Sequence, residues 1–600
     1  MLTRRSFLTA LAATTAGASF IGGTSARAAN SREKLTEFDY SAVKLTDGPL
    51  KDQFDRIHAI YLGLDNNRLL KVYRQRAGLP APGEDMGGWY DADGFVPGHA
   101  LGQIISGLSR FASATQDAAA YAKVKALVEG YAATLGPNDY PYASSKASTT
   151  WPCYILDKYE VGLLDAYQLG KVSSAKDLLL RVIRGAKPYI PAVGFDRGPN
   201  SPKQAPYDET YILPENLFNS YALTEEPEFL AMAKKYLLDK EYFDPLAQGI
   251  NILPGKHAYS HVIALSSAAK AYQVLGDPKY LETLRNAWDM LEQTQQYRSG
   301  GWGPNEAFVE PHKGLLGASL TSTQNHFETP CGCYAQFKLA RYLLRFTAEA
   351  RYGDGLERVL YNTILGAKYP SGNGDFFYYS NYHPQVQKSY YPKKWPCCAG
   401  TLVQDVADYL IGTYFRSQDG IFVNMFVPSE VQGTWDGGPL RLIQHTRYPQ
   451  DGEIGLQVMV PAPTQFTIHV RIPGWTKRPP QMFLNDKPLD VPAEPGTFCA
   501  IRRRWKDNDM LQVKLPLELR TEAIDEQHPK TVAVMRGPVM LVAVDAPQAL
   551  IDRPLDLPET LKPIPHNPQA FELDQGGEKL RLEPYYSVGD QTYTNYLTKT

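Results

Sequence analysis

Four of the six cysteines in this 600-residue chain lie in two short segments, Glu328-Thr329-Pro330-Cys331-Gly332-Cys333 and Trp395-Pro396-Cys397-Cys398. Cys153 and Cys499 stand alone. Thiolates grouped with a carboxylate suit one borderline-soft, four-coordinate ion, Zn2+. Glu328, Cys331, Cys397 and Cys398 therefore read as a zinc site that also supplies a catalytic nucleophile. Phe337, Ala340 and Leu344 mark the core face of a helix that starts near Cys331, where free N–H groups and the helix dipole favour a thiolate. Cys333 lies four residues before Phe337 on that face and reads as a small buried apolar residue, with metal ligation as its alternative role. A bond between adjacent Cys397 and Cys398 would close a strained ring. Two disulfides among the four thiols remain the competing reading for an oxidising compartment.

The start of the chain bears on that choice. Thr3-Arg4-Arg5-Ser6-Phe7-Leu8 is a twin-arginine signature, and a weakly apolar stretch leads from it to the small-x-small site Ala26-Arg27-Ala28. Residues 1–28 are therefore expected to be a signal, and the mature protein to be periplasmic or secreted. Export of an already folded chain lets metal load onto the thiols in the reducing cytoplasm first. The apolar run is shorter than the ~20 residues a bilayer needs, and no later segment is apolar enough to span one. With 21% charged residues and a net charge of −2, the chain offers no electrostatic reason for a nucleic-acid or anionic-membrane partner. At 66.9 kDa it is too long for one core, so at least two domains are expected.

The elements that must position the cysteines change character along the chain. Helical spacing dominates from about residue 35 to 415, as in Leu101, Ile104, Ile105 and Leu108. A junction recurs in which one helix ends in a short polar turn and the next opens on an apolar residue. The second helices open at Tyr121, Ala175, Phe229, Tyr280 and Leu356, with spacings of 54, 54, 51 and 76 residues. Units of that length are αα-hairpins, which cannot bury their apolar faces alone. Closed in a circle they make a helical toroid, whose inter-hairpin loops, including the long Gly300–Phe327 loop, gather at one end around a pocket. After Val427 the period becomes two, as in Phe466, Ile468, Val470 and Ile472 and in Leu511, Val513, Leu515, Leu517 and Leu519. The expected domains are 1–28 signal, 29–426 helical barrel and 427–600 β-sandwich.

Cys331 followed by Tyr334-Ala335-Gln336-Phe337-Lys338-Leu339-Ala340-Arg341, with the later Cys397-Cys398, resembles the signature of glycoside hydrolase family 127, whose type activity is β-L-arabinofuranosidase. Gly87-Gly88-Trp89, Gly300 to Phe308 and Arg471-Ile472-Pro473-Gly474-Trp475 extend the resemblance over about residues 50 to 545. It implies an (α/α)6 barrel followed by β-sandwich domains. It also implies a zinc held by Glu328, Cys331, Cys397 and Cys398, with Cys397 as nucleophile and Glu306 as acid/base of a retaining hydrolase. The expected substrates are L-arabinofuranosides, or related furanosides, of plant cell-wall glycans. One departure is Pro330, inserted where the family runs Glu-Thr-Cys; it puts the place of Glu328 in the metal shell in question and keeps Cys333 in reserve. His99, Glu215, His257 and His261 are further substrate-binding candidates, as are Asp91 and Asp93, each with an ordinary capping, turn or core role as its alternative. Two other functions compete: a two-carboxylate toroid glycosidase or lyase with structural cysteines, and an exported carbohydrate-binding protein with structural zinc.

Overall fold

Each predicted hairpin pairs a helix that is apolar or small-sided almost all round with one that is apolar on a single stripe, and that difference sorts the helices into two rings. The structure, a computed structural model, describes residues 32–197 and 208–600. The expected signal at 1–28 lies outside those residues. The outer helices are α1 (Gly48–Leu62), α3 (Ala118–Ala132), α5 (Ala175–Ala186), α7 (Pro227–Tyr236), α9 (Pro278–Thr294) and α11 (Ala350–Asn362). The inner ones are α2 (Ala100–Thr115), α4 (Pro152–Gln168), α6 (Leu213–Thr224), α8 (Ala258–Leu275), α10 (Thr329–Thr347) and α12 (Cys398–Ala407). Every residue of α2 from Ala100 to Ala112 is buried, whereas α3 buries only a stripe including Val124, Leu127, Val128 and Tyr131.

Inner helices pack in the order α2, α4, α6, α8, α10, α12 and back to α2, so the ring closes as the (α/α)6 barrel. The sequence reading found five hairpins. The sixth is made across the helical region, with α1 packed on α12, and Tyr61 donating to the Ala399 carbonyl at 2.5 Å. The recurring junction has a local cause. Inner helices end on left-handed residues (Gln116, Glu225, Gly276, Ala348), and Asp117 and Asp277 then cap the outer helices that follow. Where α2 crosses α4 the backbones nearly touch: a Cβ on Gly102 would sit 1.9 Å from the Lys158 carbonyl oxygen.

The β region is built on two sheets of one sandwich and a third sheet beyond. A five-stranded sheet includes Thr464–Ile472 paired with Thr497–Trp505, and a seven-stranded sheet includes Met510–Lys514. The two meet where Cys499 Sγ lies 3.9 Å from Met482 Sδ. Phe466, Ile468, Val470 and Ile472 all face the core, as their alternation predicts. The second predicted run is divided: Leu511 and Val513 belong to the seven-stranded sheet, while Leu519 opens a strand of the third, because Pro516 interrupts the ladder between them. Thr531–Arg536 and Val539–Val544 form the expected hairpin around Gly537-Pro538. Before entering the barrel the chain also adds Thr36–Glu37 and Val43–Leu45 to the two sandwich sheets. Arg471, fully buried, ties the sandwich to the barrel: it pairs with Asp354 and Glu357 of α11, at 2.8 Å for the latter. Among the described residues, no helix is long and apolar enough to cross a membrane.

Candidate active site and metal centre

The N-termini of the inner helices share one mouth of the barrel, and the residues with chemistry gather there. Glu328 is the N-cap of α10 and Cys331 sits in its first turn; Cys397 is the N-cap of α12 and Cys398 its first residue. Pro330 occupies the first turn of α10, where a missing N–H costs nothing. The insertion is thus absorbed by the helix start, and Glu328 stays with the cysteines. A two-stranded ribbon, β1 (Phe327–Glu328) and β2 (Tyr379–Ser380), fixes it from the other side.

These four side chains are buried, and their donor atoms all lie within 4.8 Å of one another. Cys331 Sγ is 3.5 Å from Cys398 Sγ, Cys397 Sγ is 4.0 Å from Cys398 Sγ, and Cys397 Sγ is 3.1 Å from Glu328 Oε1. None is at disulfide distance, and all six cysteines are free. Cys333 is outside the cluster, its sulfur 3.2 Å from Thr363 Oγ1. Burial pushes the Cys331 and Cys398 thiols and the Glu328 carboxyl up, with the charge of Cys397 adding to it. Burial opposes ionisation of Cys397 as well, but its hydrogen-bond contacts with Cys331, Cys398, Tyr378 and Glu328 outweigh it and shift this thiol well below its usual range.

Glu306 faces the cluster from the Gly300–Phe327 loop. Tyr378 donates to Glu306 Oε1 at 3.0 Å and its hydroxyl lies 3.5 Å from Cys397 Sγ, so one phenol oxygen spans the thiol and the carboxylate. Tyr379 also donates to Glu306, and His257 Nε2 lies 3.4 Å from Oε2. Burial raises the Glu306 pKa, but His257 first and then the two tyrosines overcome it and bring it to about 2. Its side chain keeps 26% of its surface exposed, which opens this edge of the site to solvent. Asn305 and Glu306 both have positive φ, 54° and 62°, an unfavourable backbone held by Asn305 N donating to the Asn325 carbonyl at 2.7 Å.

The segment before Cys397 is held by Gly87-Gly88-Trp89. Trp89 N donates to the Lys394 carbonyl at 3.0 Å. Gly88 has φ +64°, and a Cβ there would meet that oxygen at 2.2 Å. His99, the N-cap of α2, is wedged between the carbonyls of Val96 (2.8 Å) and Pro396 (3.3 Å), and burial lowers its pKa. It supports the residue next to Cys397.

The remaining candidates divide. His257 caps α8, Nδ1 accepting from Ser260 N, which leaves Nε2–H for Glu306. His261 is buried between Tyr211 and Tyr242, with Nε2 3.1 Å from Asp196; burial above all lowers its pKa. Glu215 lies deeper in the barrel, away from the cysteines, against Lys338 and Tyr342. Asp91 accepts from Gly87 N at 2.9 Å in a turn, and Asp93 is exposed. Sequence reasoning missed Tyr378 and Tyr379, for which the only signal was the aromatic run Phe376-Phe377-Tyr378-Tyr379. It also missed Glu209, buried against Arg197 beside His257, which carries no motif.

Comparison with known proteins follows the same lines as the geometry. The family model described as the β-L-arabinofuranosidase GH127 catalytic domain matches residues 42–410, and the GH127 middle-domain model matches residues 420–517. A crystal structure of a GH127 β-L-arabinofuranosidase from Geobacillus stearothermophilus T6 superposes with a TM-score of 0.71 at 18% identity, covering 93% of this chain and 100% of that one. A second structure, a GH127 β-arabinofuranosidase, gives a TM-score of 0.73 at 19% identity over 95% and 98% of the two chains. A third, described as a glycoside hydrolase, gives 0.69 at 15% over 95% and 98%. No curated protein matches.

Proposed function

The chain belongs to glycoside hydrolase family 127 and is a glycosidase; from that premise we propose that it is a retaining hydrolase releasing L-arabinofuranose, or a related L-furanose, from plant cell-wall glycans, with Cys397 as nucleophile and Glu306 as acid/base, after twin-arginine export to the periplasm or beyond. The observation that carries this reading is the single Tyr378 hydroxyl that reaches both Cys397 Sγ and Glu306. A sulfur nucleophile and a carboxylate on two sides of one small space are what two-step glycoside hydrolysis requires.

The donor set fits a zinc ion. Tetrahedral Zn–S bonds of about 2.3 Å give S···S edges of about 3.8 Å, and the measured edges of 3.5 and 4.0 Å bracket that value. Among the described residues, Glu328 Oε2 is buried without a hydrogen-bond partner. Glu328, Cys331, Cys397 and Cys398 would hold the ion, which when bound keeps the sulfurs deprotonated and offsets their charge.

The chain's own groups then account for the steps. Sulfur of Cys397 attacks the anomeric carbon, the glycosidic C–O bond breaks, and its electron pair leaves on oxygen, which takes a proton from Glu306. In the second step Glu306 takes a proton from water, the water oxygen displaces sulfur, and two inversions leave the configuration retained. The free site holds Glu306 as the carboxylate needed for the second step. The first step needs Glu306 protonated, which requires the bound substrate to weaken the His257 contact as well as the tyrosine hydrogen bonds that hold its pKa down.

The test is to mix enzyme with nitrophenyl β-L-arabinofuranoside, quench with acid, and locate a pentosyl adduct by peptide mass spectrometry. An adduct on Cys397 is expected, with turnover lost on chelation. An adduct on a carboxylate, or full activity in Cys397→Ser, would sink the sulfur mechanism in favour of a two-carboxylate one.

A further inference from the structure

The opposite end of the barrel holds a second cavity, of about 780 Å3, that runs from mid-barrel to the C-terminal turns of the inner helices. Its lining is strongly charged, and most of the charges are matched. Arg110 pairs with Asp165 and Asp408, each at 2.9 Å. Arg341 pairs with Asp408 at 2.6 Å and Glu37 at 3.2 Å; Arg345 pairs with Glu37 and Glu33; Lys338 pairs with Glu215.

Two cations are left over. Lys270, on α8, makes one hydrogen bond, to Gln273 of its own helix at 2.8 Å, and no ion pair among the described residues. Lys176, in the first turn of α5, has neither a hydrogen bond nor an ion pair among them. Neither position is explained by stability. A cation in the first turn of a helix opposes the dipole, and an ammonium deep in a cavity loses solvation. Burial, and then the Arg345 guanidinium, draw Lys270 down to about 8; Glu215, Glu33 and Glu37 attract it from further off but already have partners. The remaining acid of the lining, Glu225, is exposed at the rim as the left-handed cap of α6. The same wall carries the amides of Gln168 and Asn219, groups that both donate to and accept from hydroxyls; that of Asn216 is already engaged, donating to Asp157 Oδ1 at 2.7 Å and accepting from Asn219 Nδ2 at 3.4 Å.

We propose that this distal cavity is a second carbohydrate site, separate from the catalytic mouth, that binds an acidic oligosaccharide, its carboxylates meeting Lys176 and Lys270 and its hydroxyls the amide wall. The volume suits a short oligosaccharide. Lys270 also stands 5.8 Å from the Tyr342 ring centroid; an anion supplies the counter-ion that both lysines lack among the described residues, and hydroxyls distinguish an acidic sugar from a bare anion.

Calorimetric titration of the full-length, metal-loaded enzyme with trigalacturonate, xylotriose and inorganic phosphate tests this. Trigalacturonate should bind and xylotriose should not. Lys176→Glu, a half-exposed site that tolerates the change, should weaken binding by about tenfold or more without altering hydrolysis of nitrophenyl β-L-arabinofuranoside. Lys270→Met should weaken it similarly, and Asn219→Asp, which adds a negative charge to the wall, serves if Lys270→Met does not fold. The proposal is overturned if trigalacturonate gives no heat at millimolar concentration, or if binding survives Lys176→Glu. It is equally overturned if L-arabinose competes the sugar away, which would place it in the catalytic mouth, or if phosphate binds as tightly.

Discussion

Cys397 and Glu306 illustrate how far a single residue's chemistry depends on what donates to it. Each is a buried or half-buried acid whose burial argues for the neutral form, and in each the surrounding hydrogen-bond partners lower the pKa instead. Tyr378 serves both. Removing its hydroxyl in Tyr378→Phe should cost about 1–2 kcal/mol of transition-state stabilisation, roughly tenfold in kcat, with KM little changed; steady-state kinetics measure the split. Glu306 also leaves a signature in stability. Its pKa lies at about 2, below its ordinary value of 4.5, so its contribution is fully present above about 4.5 and is lost as pH falls through about 2. Wild type should therefore exceed Glu306→Gln in urea midpoint at pH 5 by a margin that closes as pH drops toward 2. A constant margin would show that His257 and the tyrosines do not stabilise the charge.

At the scale of the element, the site is made from helix starts and the two segments that pin them. Pro330 sits in the first turn of α10, where its ring is compatible and its missing N–H is not needed. Pro330→Ala should thus shift the melting temperature little and leave metal content and activity intact. Gly88→Ala should behave oppositely. A Cβ in a left-handed backbone, 2.2 Å from the Lys394 oxygen, costs about 1–3 kcal/mol or displaces the segment that leads to Cys397. Both lower melting temperature and bound zinc per chain, which calorimetry and elemental analysis read directly. If Gly88→Ala binds metal normally, this segment does not position the nucleophile.

Across the whole molecule, the barrel and the sandwich are joined by charge buried in a protein interior. Arg471 is fully buried, and its loss leaves Asp354 and Glu357 without their counter-ion; Glu357 also accepts from Tyr448 (2.7 Å) and Trp475 (3.1 Å). Arg471→Met should destabilise by about 3–5 kcal/mol, and denaturant unfolding should then show the barrel and the sandwich separating into two transitions. The motif around Arg471-Ile472-Pro473-Gly474-Trp475 is thus part of a joint between domains, and its distance from Cys397 in the chain says nothing about its role there. The closure of the barrel is of the same kind, since α1 and α12 come from opposite ends of the helical region.

What the residues alone determined is everything that repeats or clusters locally. Hairpin spacing, the switch from helical periodicity to a period of two, and the grouping of soft ligands in two short segments are all short-range features, and short-range sterics and hydrophobic patterning decide them. Only the tertiary structure could bring Glu328 and Cys331 to Cys397 and Cys398, admit Pro330 without displacing Glu328, and exclude Cys333 to the wall of Thr363. It alone put Tyr378 between Cys397 and Glu306, and moved Glu215 to a different cavity. These are contacts between residues tens to hundreds of positions apart. They follow from how six helices close a ring, a packing outcome that no local pattern encodes.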